Sequence, residues 1–207
     1  MTDAETRPRR RADAERSIAR IVSAARHSLS TNPDATIDDI AQAAGVGRMT
    51  LYGHFPSRAE LVEAAVVAAL QSGEETLSAI DLSGDAQHAV TRLLESSWSL
   101  VAESSALLAA AENILPAGRI RELHAGPAQR VEELLRRGQA QGVFRTDLPI
   151  SWLVCVVHHV LHGAAEEIRA GRAQTEDAAR MVVATVQPVL AVSPIEKPRA
   201  DGAPGAS

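Results

Sequence analysis

Residues 36–55, TIDDIAQAAGVGRMTLYGHF, decide how this chain is read. Thr36 stands just ahead of an apolar-periodic run, and Asp39 follows three residues later. A hydroxyl at the first of these positions and a carboxylate at the second satisfy each other's backbone amides, which starts a helix. Ile37, Ile40, Ala41 and Ala44 repeat at helical spacing and make one apolar side. Gly45 stands where a left-handed residue closes a helix. A second short helix follows over roughly Arg48–His54, and Pro56 interrupts it. Ala41 is small enough for that second helix to cross close above it, Gly45 makes the turn, and Leu51 packs the pair together. The Ala-x3-Gly-x5-Leu spacing therefore predicts a helix-turn-helix, a shape whose second helix fits the major groove of a duplex.

Upstream, Ile18, Ile21, Val22, Ala25 and Leu29 share one face of a helix expected over about Asp13–Leu29. Residues 1–11 read as disordered and end in a basic tract, Arg7-Pro8-Arg9-Arg10-Arg11. Such an arm either reaches phosphates and the minor groove or serves solubility alone. Downstream, Ser57 and Glu60 form a second capping box, opening a long helix to Leu77 or Ile80. Helices are expected next over about Asp85–Glu103 and Ser105–Ile114, with a short one over Arg119–His124. Another begins at Gly126-Pro127, with proline at its first position, and stops at Gly142. The last two run from behind Asp147-Leu148-Pro149 to about Arg169, and from Thr175, a natural cap, to Leu190. Ser193–Ser207 reads as a disordered tail.

Composition agrees with an all-α chain. Apolar residues are 45% of the 207, but aromatics only 2%, so Ala, Val and Leu fill the core. No stretch alternates strongly enough to predict much sheet. Apolar runs such as Trp152–Val157 are far short of the ~18 residues a membrane span requires. A charged N-terminus with no apolar stretch behind it, together with a single cysteine, suits a cytoplasmic protein. Cys155 reads as a buried small hydrophobe. Residues 1–60 carry nine arginines against eight carboxylates, whereas residues 61–207 carry twelve basic groups against eighteen acidic ones. Only the first part is suited to face a polyanion.

Tyr52, His54 and Phe55, followed by Pro-Ser-Arg and an amphipathic helix, complete a pattern. Residues 15–64, above all TIDDIAQAAGVGRMTLYGHFPSRAELVEA, resemble the DNA-binding domain of TetR-family repressors. The resemblance implies an N-terminal three-helix DNA-binding domain over 1–60 and a helical ligand-binding and dimerisation domain over 61–192, about nine helices in all. It implies a homodimer on a palindromic operator of double-stranded DNA, released by a small-molecule effector, with no cofactor and no membrane partner. Arg48 would read a guanine edge or hold a phosphate, Met49 would make apolar base contacts, and Thr50 would meet a thymine methyl or a phosphate. Tyr52, His54, Arg58 and Thr36 would hold the sugar-phosphate backbone, and Phe55 would plug the core beneath. His54 has a second role open to it, as a cationic cap on its own helix.

Two positions depart from the family pattern. Gly47 stands where a Ser or Thr normally caps the recognition helix, and Gly53 where a longer polar residue is common. These losses keep a second reading open, a ligand-binding helical protein that no longer binds an operator. The last two helices are apolar nearly all round and so suit a dimer interface. Leu70, Leu77, Trp98, Leu108, Asn113 and Phe144 are candidate ligand-lining residues. His158, His162 and Glu166 lie four apart on one helix, but no HExxH, CxxC or second cluster accompanies them, so no metal site is assigned. No activated Ser or Cys and no phosphate-cradling glycine loop points to an enzyme.

Overall fold

A computed structural model describes residues 6–192, with side chains from residue 12 onward. Among the described residues the chain forms nine helices: α1 (Thr6–Thr31), α2 (Ile37–Ala44), α3 (Arg48–His54), α4 (Arg58–Ser78), α5 (Ala86–Glu112), α6 (Arg119–Leu123), α7 (Ala125–Ala140), α8 (Ile150–Arg169) and α9 (Thr175–Leu190). The only β-type pairing among them is an isolated bridge between Phe144 and Ala191. Expectations for residues 1–5 and for the Ser193–Ser207 tail fall outside the described residues.

The start and stop signals act where the sequence places them. Thr36 Oγ1 accepts from the Asp39 amide at 3.2 Å, and Asp39 Oδ2 accepts from the Thr36 amide at 2.8 Å. Gly45 closes α2 with φ of 64°, a conformation that costs a side-chain-bearing residue far more than glycine. Ser57 accepts from the Glu60 amide at 3.2 Å and opens α4.

Four boundaries differ from expectation. Residues 6–11, expected as disordered, are helical and belong to α1. The two helices expected between Asp85 and Ile114 are one, α5. Its serine-rich middle stays helical, held by the apolar contacts of α5 on both sides, and the hydroxyls bond back to their own helix: Ser97 to Leu93 O at 2.6 Å and Ser105 to Ala102 O at 2.9 Å. α7 begins at Ala125, so Pro127 is its third residue, still within the turn whose amides have no partner. Gln174, not Thr175, occupies the cap position of α9.

Two apolar cores organise the helices. The first joins Ile21, Ala25 and Leu29 of α1, Ile40 and Ala41 of α2, Leu51 of α3 and Leu61 to Val66 of α4. It also takes in Leu107, Leu108 and Ala111 from the far end of α5. The second joins the near end of α5 to α7, α8 and α9 through Leu93, Leu94, Leu135, Phe144, Leu153, Val157, Val186 and Leu190. α5 therefore runs through both. Leu153, Val154, Val157, Leu161 and Ala165 set the inward side of α8. Cys155 lies on the opposite side and is exposed, which corrects the expectation that it is buried.

Candidate nucleic-acid interface and ligand cavity

α3 is held from behind and open in front. Leu51 is fully buried and Phe55 nearly so, whereas Met49 is 83% exposed. Arg48 and Thr50 are exposed beside it, and Tyr52 and His54 are half-buried at the edge. A seven-residue helix presents three consecutive side chains outward only when its core contacts come from the other face. Gly47 caps α3 without a side-chain hydrogen bond, and a side chain at Gly53 would meet nothing within 4 Å.

The predicted residues are not all equally free. The Arg48 guanidinium donates to both carboxylate oxygens of Asp38 at 2.7 and 3.1 Å and lies 5.5 Å from the centre of the Tyr52 ring. Thr36 donates its hydroxyl to Asp39 Oδ2 at 2.7 Å. That bond and the backbone bond at Thr36 hold the Asp39 carboxyl below its ordinary range. Arg58, expected at the DNA backbone from sequence, donates to Ala35 O at 2.7 Å and ties the start of α4 to the turn before α2. Asp38 went unnoticed in the sequence because its partner lies ten residues away, across the turn.

Behind this unit, α4, α5, α7 and α8 enclose a cavity of about 110 Å³. Leu70, Leu77 and Leu108 line it, as the sequence proposed. The other three candidates lie elsewhere. Asn113 is exposed at the end of α5, where its side chain donates to Ala109 O at 3.1 Å. Phe144 belongs to the second core, and Trp98 packs on that core. Sequence proximity to an apolar run cannot say on which side of α5 or α7 a ring will fall.

The polar part of the wall was mostly missed. His124, from the junction of α6 and α7, meets His158 and His162 of α8, with ring centres 6.5, 6.2 and 6.5 Å apart. His124 Nδ1 donates to Ile120 O at 2.9 Å, which leaves its Nε2 without a hydrogen-bond partner among the described residues. The same three histidines also line an open cleft of about 660 Å³ on the other side, so they stand as a partition between cleft and cavity. Rings sharing one zinc ion, with Zn–N of 2.0–2.1 Å, would have centres only about 5 Å apart. Among the described residues no group of three or more His, Cys, Asp or Glu is arranged to hold a metal. Arg130 lines the cavity as well and pairs with Glu74 of α4. The i, i+4 pair on α8 was visible in sequence, but nothing there signals its meeting with His124 or the Glu74–Arg130 pair.

α4 connects the two regions. It lines the cavity with Leu70, Gly73, Glu74 and Leu77, and its first residue is the Arg58 that holds Ala35. Midway, Glu63 accepts from Arg119 at the start of α6, with distances of 2.6 and 3.2 Å. Those hydrogen bonds hold the Glu63 carboxyl below its ordinary range and outweigh its partial burial.

Residues 21–65 match the family model for bacterial regulatory proteins of the tetR family. The chain is 34% identical over 87 residues to the HTH-type transcriptional repressor LfrR of Mycolicibacterium smegmatis, a match covering 42% of this chain. That match spans only 46% of LfrR itself. The fold resembles the crystal structure of the TetR-like regulator LfrR from Mycobacterium smegmatis in complex with proflavine, with a TM-score of 0.68 and 23% identity. It covers 83% of this chain and 94% of that one. A TetR-family regulator from Agrobacterium tumefaciens is similar in fold, with a TM-score of 0.69 and 19% identity over 86% of this chain and 99% of the other. With α3 presented on the Ala41–Gly45–Leu51 frame and the matched segment laid over that unit, residues 21–65 form a DNA-binding segment of the tetR-family type, and the chain as a whole is similar in fold to TetR-like regulators.

Proposed function

We propose that this protein is a homodimeric repressor that holds a palindromic operator through α3 and leaves it when a small molecule fills the cavity. The division of labour is residues 1–60 for DNA and 61–192 for ligand and partner. The observation that carries the reading is the open face of α3, with Arg48, Met49 and Thr50 outward over a buried Leu51. A helix of this length is about 10 Å long at 1.5 Å per residue and reads only a few base pairs. Selectivity in a genome then requires two copies on one site.

The partner surface is α8 and α9. Trp152 is 55% exposed and Met181 39%, large apolar side chains that water disfavours. Effector control runs along α4. A ligand pressing on Leu70 and Leu77 would shift the helix, and Arg58 would carry the shift to the turn before α2. The ligand must favour the off-operator state for this to act. The reading is of a regulator, not of an enzyme.

The test begins by selecting genomic fragments on the purified protein and then measuring their affinity against salt. A steep fall with salt is expected as counterions return to the phosphates. Arg48→Ala should relax preference at one base step, by about 1–3 kcal/mol. The absence of a side-chain cap at Gly47 favours the second reading, a ligand binder without an operator. A salt-independent or undetectable retention of DNA would support that alternative.

A further inference from the structure

The cavity wall is mostly apolar, and the few polar groups in it, Arg130 with His124, His158 and His162 among them, have unused hydrogen-bonding capacity. Arg130 Nε is buried with no partner. Among the described residues the His124 ring is hydrogen-bonded to Ile120 O alone, through Nδ1, and no hydrogen bond holds the rings of His158 or His162. A buried guanidinium N–H without a partner costs free energy, and the three half-buried imidazoles on the same wall have hydrogen-bonding capacity to spare, so the cavity suits a ligand that engages both. An N–H of arginine requires an acceptor. Imidazole can supply either a donor or, once protonated, a countercharge. Glu74 is already paired with Arg130, which leaves no free carboxylate in the cavity to receive a cationic ligand.

We propose that this cavity takes a small apolar acid, a ring-sized or short branched carboxylate, whose anionic head enters the triangle of His124, His158 and His162 beside Arg130 and is balanced there by a proton taken up from solvent. This rests on the effector-site reading above and names its ligand class. The volume sets the body: about 110 Å³ is close to the ~150 Å³ that admits benzene in an engineered cavity. The proton balance is simple. Carboxylate, neutral imidazole and one solvent proton give a carboxylate–imidazolium pair, and no bond other than N–H is made.

Burial, and then neighbouring imidazoles, disfavour charge on the α8 rings: desolvation first and the charges of His124, His158 and His159 next push His162 down to about 4. His158 is lowered for the same leading reason. An anion within hydrogen-bonding reach acts in the opposite direction. The other charged or titratable groups facing the triangle are Glu74 of α4, Glu112 of α5, Arg121 of α6, Arg130 of α7, and Cys155, His159, Glu166 and Arg169 of α8. Glu74 is neutralised by its arginine, and Glu112, Arg121, Glu166 and Arg169 line the open cleft, where water screens them.

The test uses the full chain with benzoate and 3-methylbutanoate against benzyl alcohol and 3-methylbutanol, by calorimetry in two buffers of unlike ionisation enthalpy. The acids should bind more tightly than the alcohols, with uptake approaching one proton. Their Kd should rise about tenfold between about pH 5.5 and about pH 6.5. His162→Gln and His158→Gln should each reduce the uptake, with the folded state checked by thermal melting. Alcohols that bind as tightly as acids, acids that bind without uptake, or no acid binding at all would each overturn the proposal. Operator retention is read separately. Acids that bind with uptake yet leave the operator complex intact support the ligand class and sink the effector reading. Operator binding with no proton-linked ligand does the reverse.

Discussion

Replacing Gly138 by alanine sets two effects of opposite sign against each other. Gly138 lies inside α7, where alanine should stabilise the helix by about 1 kcal/mol. Yet a Cβ built there falls 1.9 Å from Phe144 Cδ2 and 2.3 Å from Cε2. The ring cannot yield cheaply, because Phe144 is 2% exposed and sits in the second core. Its backbone is also pinned: Phe144 bridges to Ala191, and the Arg145 amide donates to Leu190 O at 2.8 Å. Overpacking of this kind costs about 1–3 kcal/mol when the core adjusts, and expulsion of a buried Phe about 3–5 kcal/mol. So close an approach puts the cost at the upper end of that overpacking range, about 3 kcal/mol, and Gly138→Ala should lose roughly 2 kcal/mol net of the helix gain. Urea unfolding at fixed protein concentration measures it, since a dimer's stability depends on concentration. Phe144→Leu in the same chain should recover part of the loss, a non-additivity that reports direct contact. A Gly138→Ala protein as stable as the parent, or more so, would refute the packing argument and leave helix propensity in control.

Three other outcomes are expected. Gly47→Ser restores a hydroxyl cap at a site with φ of −72° and no atom nearer than about 4.0 Å to the new Cβ; it should stabilise by a few tenths of a kcal/mol and tighten operator binding, read by urea midpoint and fluorescence anisotropy. Trp152→Glu together with Met181→Glu should convert the dimer to monomer in sedimentation and weaken operator binding while leaving the monomer folded, because both side chains are surface-exposed in one copy. For His162 the folded pKa, about 4, lies below its ordinary value, so the unfolded chain takes the proton first. Stability from the neutral ring is therefore complete above about pH 6.5 and is lost as pH falls toward about 4. His162→Gln should flatten that part of the melting-temperature profile, and an unchanged slope would remove the group from the titration.

Much of the candidate interface was legible in the sequence because its signals are local. Thr36 with Asp39, Gly45, and Ser57 with Glu60 each act within a few residues, and each appears where the spacing placed it. The continuous apolar runs signalled α8 and α9, and the Ala-x3-Gly-x5-Leu spacing the inward place of Leu51, for the same reason. What failed depended on neighbours distant in the chain. The join of two expected helices into α5 turned on its apolar contacts on both sides, and the outward side of Cys155 on which face of α8 met the core. The bond from Arg58 to Ala35, 23 residues away, and the packing of Phe144 on Gly138 across the end of α7 left no local signal either.

The sequence by itself determined the helices, their caps and the glycine-turned pair near the start, because hydrogen bonds within one turn and apolar repeats along one face are properties of a short segment. Only the tertiary structure decided that His124 joins His158 and His162 in the wall of a mostly apolar cavity, that Arg130 brings an unpaired Nε there, and that α4 links that cavity to Ala35. These groups are brought together by the packing of α4, α5, α7 and α8 in three dimensions. A contact made across tens of residues leaves no periodic trace in the chain that makes it.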